Sequence, residues 1–448
     1  MSQRGSVLIM SYLVVATLIV WQTIDFQQSL MQARSATTFS DTSRAFHLAE
    51  AGFHDALAWM RAQPAPPSGT LAFDPFLGTT GCSVADPTQP PRAPRTLGTD
   101  QFYVCVDPDD NNPTTFLDLY TLSIAGLAHN GQIARRITAL LRTESFARFS
   151  YFTNREELPN GTNIWFTGND HLTGPVHSND QFNIKKNPIF DGAVSSTAGS
   201  INYYSGGPPA DNPQFNGGLT LSAAPISMPL SATPLRVAAS SGGRWYEGNT
   251  TIVLQNNGTM RVTNATAGLS NAVVSLPANG AVFVNGGNVT LSGELEGALT
   301  IGTSHDIVVI NNVRYHCNPR DPAADPDCLD GSGQVTHNDD VLGLVAERNV
   351  VVSDSAPFNV EIQSSIMALN TSFTVERYWD PANLNGTLTV YGGIIQKSRG
   401  AVGTFASSTG QKVSGYSKDY YYDERLAGTA PPFYPTTADY EELLWQEN

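Results

Sequence analysis

Residues 5–24, GSVLIMSYLVVATLIVWQTI, hold twenty consecutive positions without a charged side chain, bounded by Arg4 and Asp25. At ~1.5 Å per residue, a helix of that length spans the ~30 Å hydrocarbon core of a bilayer. The pattern then changes instead of stopping. Phe39, Phe46, Phe53 and Met60 recur every seven residues, with Thr42, Ala49 and Ala56 between them at the three-four spacing of a heptad seam. Pro64, Pro66 and Pro67 end the run, because proline lacks the amide hydrogen that the next turn requires. One continuous helix over residues 6–60 is therefore predicted, roughly 80 Å long, apolar in its first half and amphipathic in its second. Arg4 on the short N-terminal side keeps that end cytoplasmic and the remainder across the membrane. A cleaved secretory signal fits less well: its apolar core is shorter, and no small-residue cleavage site follows Trp21.

After Pro-rich connectors (RAQPAPPSGT and DPTQPPRAPRT) the period shortens. QFYVCVD, LDLYTLSIAGLA and GQIARRITALLR are rich in β-branched and aromatic residues, and His129, Asn130 and Gly131 form a turn between the last two. This predicts a small antiparallel sheet packed on the helix seam. Beyond residue 150 an apolar-x-Gly-x-apolar pattern recurs, centred on Gly174, Gly192, Gly293, Gly297 and Gly392, among short strands such as AVFVNGGNVTL and HDIVVINNV. Many short strands separated by turn residues predict parallel coils stacked into a β-solenoid, with a β-sandwich as the alternative. The fold class is α+β: a long helix with a small sheet, followed or interrupted by a large all-β region.

Composition adds two constraints. Across 448 residues, 25 Lys and Arg face 40 Asp and Glu, a net charge of −15, which disfavours non-specific attraction to nucleic acid or anionic lipid over the surface as a whole. Four cysteines in an exported chain point to an oxidising compartment. Locality favours pairing Cys82 with Cys105 and Cys317 with Cys328, with two or four free thiols as the alternative.

The basic leader ending in Gly5, the apolar helix from Ser6, and AFHLAEAG at 45–52 resemble type IV pilin-like proteins, PilX-type minor pilins in particular. The resemblance implies cleavage after Gly5 by a prepilin peptidase, methylation of Ser6, and packing of the helix in a filament with other major and minor pilins on an inner-membrane assembly platform. Phe39, Phe46, Ala49, Phe53, Ala56 and Met60 are the packing residues. Most pilins carry a glutamate five residues into the mature chain; Met10 stands there, a departure that the family associates with tip subunits. The aromatic usual at the first mature position is also absent. GPVHSND (174–180), GLVAERNVVV (343–352), YGGIIQKSRGAVGTF (391–405) and GYSKDYYYDERL (415–426) resemble bacterial surface domains of uncharacterised function attached to such N-termini. The predicted organisation is leader 1–5, helix 6–63, sheet-bearing head 64–150, solenoid-like region 151–414 and a Tyr-rich cap 415–448.

Candidate chemistry is sparse. Asp107, Asp109, Asp110, Asn111 and Asp118 supply oxygen ligands of the kind calcium takes, yet lack EF-hand spacing; Asp321, Asp325 and Asp327 in CNPRDPAADPDC are a second calcium candidate. In both cases a solvated acidic loop is the plainer reading, and no cofactor is expected. His171 and His177 with Asp170 and Asp180 are metal candidates beside a structural reading at strand turns. Polysaccharide chemistry would need clustered carboxylates such as Asp306, Asp339 and Asp340 near Arg348, but no spacing selects them, and the chain is read as non-enzymatic. Tyr416, Tyr420, Tyr421, Tyr422, Phe433, Tyr434, Tyr440 and Trp445 fit a terminal cap or a stacking surface. Lys397, Arg399, Lys412 and Lys418 give this end the local basic character on which a DNA-receptor reading rests. Display near a filament tip for adhesion or recognition is the leading reading; a DNA receptor and a surface polysaccharide-active enzyme are the alternatives.

Overall fold

The computed structural model describes residues 3–63, 66–69, 71–90, 92, 94–109, 115–128, 131–320, 328–329, 339–406 and 410–447. A single helix, Gln3–Arg61, runs 59 residues, roughly 90 Å at its ordinary rise. The apolar half contains a few hydroxyls that satisfy themselves within the helix: Thr17 donates to the Leu13 carbonyl and Thr23 to that of Ile19, each at 3.0 Å.

The chain divides into two compact units. The first comprises 1–110, 118–142 and 440–448. Its long strands Asp100–Asp109, Leu119–Ala128 and Ile133–Ser145 form an antiparallel meander, flanked on one side by short strands at 73–74 and 79–80 and on the other by Thr436–Glu447. The Tyr-rich end is therefore not one segment: Lys412–Tyr422 pairs in the second unit, while Tyr440 and Trp445 pack with the helix of the first. Leu48, Phe53 and Met60 meet Phe102, Ile124, Ile137 and Tyr120 in a closed core. Small residues let the helix lie close on the sheet. A Cβ on Gly126 would fall 2.0 Å from the Ala45 carbonyl oxygen, and one on Gly52 would fall 2.7 Å from Ile124. The Cys82–Cys105 disulfide ties a loop to the strand Asp100–Asp109.

The second unit, 111–117 with 143–439, interrupts the first in sequence: the chain leaves after 142 and returns at 440. Its strands pair in parallel columns. One runs through Arg244–Glu247, Ala281–Asn285, Ala298–Thr303, Val341–Ala346, Val360–Ala368 and Leu384–Ser398. A second runs through Thr250–Gln255, Val289–Leu295, Ile307–Tyr315, Val350–Val352 and Phe373–Val375. Alternate side chains enter the core and stack on their equals one coil away, as Val289, Ile307, Val350 and Phe373 do. Columns of parallel coils turning corners between them are an open stack, not a closed barrel. Several of the recurrent glycines are those corners. A Cβ on Gly192 would strike the Gly174 carbonyl at 2.2 Å, and one on Gly392 the Ser364 carbonyl at 2.1 Å.

The order of the stack differs from a simple winding. Tyr151–Arg155, the first strand of the stack, pairs with Leu384–Ser398 on one side and Val176–Ser178 on the other. The chain thus enters in the middle, winds outward to Leu219–Thr220, crosses to Arg244–Glu247 at the far end, and winds back to meet its own first strand. Cys317 and Cys328 are bonded in this unit.

Candidate functional site

Two regions combine the chemistry that the sequence singles out: the helix, and a charged cluster inside the coil stack. Gly5 and Ser6 lie in the first turns of the helix backbone. Every side chain from 7 to 40 is exposed, whereas from Ala45 onward one face is buried every third or fourth residue. Ala49, Phe53, Ala56 and Met60 belong to that face and Phe46 packs at its margin, while Phe39 is 78% exposed and lies outside it. Arg44 pairs with Asp100, and Arg95 with Asp55 at 3.0 Å, so the buried half is also fixed electrostatically. The exposed half contains a window of mean hydropathy 2.1 with none of it buried, long and apolar enough to cross a membrane.

In the second unit, two ion pairs lie together in the core. Arg399, 2% exposed, donates to Glu156, fully buried, at 2.9 Å and lies 3.6 Å over the Phe166 ring. Lys418 donates to Asp170 at 2.7 Å, and Asp170 also accepts from the Thr167 amide at 2.6 Å. Burial alone pushes the Asp170 carboxyl up, but Lys418 and Arg399 outweigh it and hold the group below the ordinary carboxylate value. Burial likewise lowers the Lys418 ammonium against the pull of Asp170. Gln396 donates to the Tyr151 hydroxyl at 2.9 Å, and the space left beside these groups is about 20 Å³, room for one water. Such a cluster joins segments 243 and 248 residues apart without leaving a charge unmatched. It is invisible in sequence, where Glu156 and Arg399 have no local relation.

The same contacts redistribute the other candidates. His171 bonds Asp191 at 2.5 Å, His177 sits between the Ser195 hydroxyl and the Asn179 amide oxygen, and Asp180 accepts from the Glu156 amide, so the four residues make no common ligand set. Asp340 caps the amides of Gly297 and Cys317, and Asp306 accepts from the Asn349 amide, with Arg348 at 4.0 Å. Those carboxylates hold backbone, and they do not converge. His316 lies beside Cys317 and Cys328, whose sulfurs are spent on each other. Of the calcium candidates, Asp110, Asn111, Asp321, Asp325 and Asp327 lie outside the described residues, as do His129 and Asn130 of the predicted turn.

The basic residues near the C-terminal end are also committed inward. Besides Arg399 and Lys418, Lys412 donates to the Gly386 carbonyl at 2.7 Å. Tyr416 is buried with its hydroxyl on the Pro357 carbonyl, and Tyr421 stacks under Arg320 at 3.8 Å.

Comparison with known proteins gives limited matches. Residues 124–199 match a domain of unknown function, DUF4900. Among curated proteins no relative matches. Among solved structures the chain is similar to the competence-associated pilin ComZ from Thermus thermophilus, at 12% identity over 91% of this chain and 97% of that one, with a TM-score of 0.37.

Proposed function

We propose that this chain is a pilin-like filament subunit, a minor pilin or pseudopilin, that displays the coil stack as a surface for adhesion or recognition. One observation carries the reading: a single unbroken helix has an apolar half that the protein itself leaves uncovered and an amphipathic half sealed onto its own sheet. An anchor needs only the first half. A helix that must pass from lipid into a packed filament needs both, because its head has to stay fixed while its partner changes. In this reading the N-terminus is cytoplasmic, a prepilin peptidase cuts after Gly5, Ser6 is methylated, and other pilins cover residues 7–40 in a filament exported to the cell surface or periplasm. The uncharged Met10 favours a tip position, since it offers a neighbour's terminal amine no carboxylate. The parallel columns are read as a β-solenoid with its connections in the middle.

A non-enzymatic role is proposed because Asp306 and Asp340, two of the three carboxylates that sequence offered for catalysis, hold backbone amides. DNA binding is the weaker reading: three of the four cations it invokes are spent on internal partners. The N-terminal mass of protein recovered from membranes, with and without an active prepilin peptidase, tests the proposal. A chain starting at methylated Ser6 only with the peptidase is the expected result; a chain keeping Met1 in both cases overturns it.

A further inference from the structure

One concavity on the second unit is used by none of the contacts above. It is a solvent-open trough of about 430 Å³ across the strands Thr250–Gln255, Val289–Leu295 and Ile307–Tyr315, with Asn256, Ser292, Glu294, Asn311, Asn312 and Arg314 on its walls. Two backbone irregularities build it. Leu291 and Gly293 pair with Val309 and Val313, so two extra residues of one coil bulge at Asn311 and Asn312. Gly293 has a φ of 110°, and a Cβ there would fall 2.2 Å from the Leu254 carbonyl oxygen, so glycine alone lets the neighbouring coil close against it.

The polar groups in this trough are largely unspent. Among the described residues, the side chains of Asn256, Ser292 and Glu294 hydrogen-bond to nothing in the chain. Asn311 and Asn312 use only their amide oxygens, which accept from the backbone of Asn312 at 2.8 Å and of Glu361 at 3.0 Å. Their NH₂ groups remain as donors held in place by the bulge. Arg314 is paired with Glu361 at 2.8 Å, and no lysine and no aromatic ring lines the trough. A nucleic acid would therefore find neither a free cation for its phosphates nor a ring for its bases. An apolar peptide would find no anchor pocket. What remains is a row of fixed donors and acceptors with one carboxylate, the complement of vicinal hydroxyl groups.

We propose that this trough binds a neutral oligosaccharide. The inference deepens the recognition part of the proposed function by naming its ligand class, and it draws on that reading only for why the unit is displayed. The test uses the full-length protein in detergent micelles, screened on an array of neutral and acidic oligosaccharides and single-stranded DNA, followed by calorimetric titration of the strongest ligand. Binding of a neutral oligosaccharide, weakened roughly tenfold or more in both N256A and E294Q, is expected. Both residues are exposed, and thermal unfolding of each variant reports that it is folded. Unchanged affinity in the variants, preference for DNA or acidic glycans, or no ligand on the array overturns the proposal, as does calcium alone binding at Glu294 with no glycan bound. A chain that keeps Met1 yet binds the glycan refutes the filament reading and leaves this one standing.

Discussion

Replacing Arg399 with methionine removes a guanidinium from the core while keeping most of its stem. Glu156 is fully buried, and its other side-chain partner is the Thr153 hydroxyl, so the carboxylate loses its counter-charge without gaining water. Breaking a buried pair from one side costs about 3–5 kcal/mol, because the abandoned charge cannot be solvated. For a unit of this size that lowers the unfolding temperature by on the order of 10 °C. Differential scanning calorimetry of the full-length protein in detergent measures it. The double variant E156Q/R399M removes both charges and regains a large part of the loss, since two neutral groups carry no desolvation debt. A loss under about 1 kcal/mol, or a double variant no more stable than R399M, refutes the reasoning.

Three further perturbations follow from the geometry. Gly126→Val puts a branched Cβ against the Ala45 carbonyl oxygen and costs about 3 kcal/mol or more in the first unit, read as a lower denaturant midpoint there with the second unit's transition unmoved. Burial holds the His177 imidazole below its ordinary 6.5, only partly offset by Asn179, so the unfolded chain binds more protons below that pH. The second unit therefore loses stability as pH falls below about 6.5 and is level above it, and H177Q flattens that slope in pH-dependent melting. Removing the Cys82–Cys105 bond, which closes a loop with a sequence separation of 23, as C82S/C105S costs about 3 kcal/mol in chemical denaturation of the first unit.

The parts of this fold legible in sequence are those written in local period. The helix announces itself through an uncharged stretch and a seven-residue repeat, and the meander through β-branched runs between turns. Gly192 and Gly392 signal corners because a Cβ there would strike the backbone of the adjacent coil. Phe39 shows the limit of period, since spacing places it on the seam but the sheet ends below it. The middle position of Tyr151–Arg155 is set by pairing with residues 394–398, and no short window of sequence contains both partners. Lys418 and Arg399 read as surface cations for the same reason, because the acids that take them inward are more than 240 residues away. The trough is likewise hidden: asparagine pairs between strands read as turns until the register shift at Gly293 is known.

The unit's first and last segments meet where Phe146 donates to the Pro435 carbonyl at 3.0 Å. Both connections to the first unit therefore leave from the interior of the stack, and the outermost coils, at 219–220 and 244–247, are joined to each other by the crossing segment 221–243. A repeat gained or lost toward either extremity would leave the two crossing points at the same spacing. The stack can thus change length away from its connections, provided that the crossing segment 221–243 lengthens or shortens with it, while the spacing of the two connections stays the same.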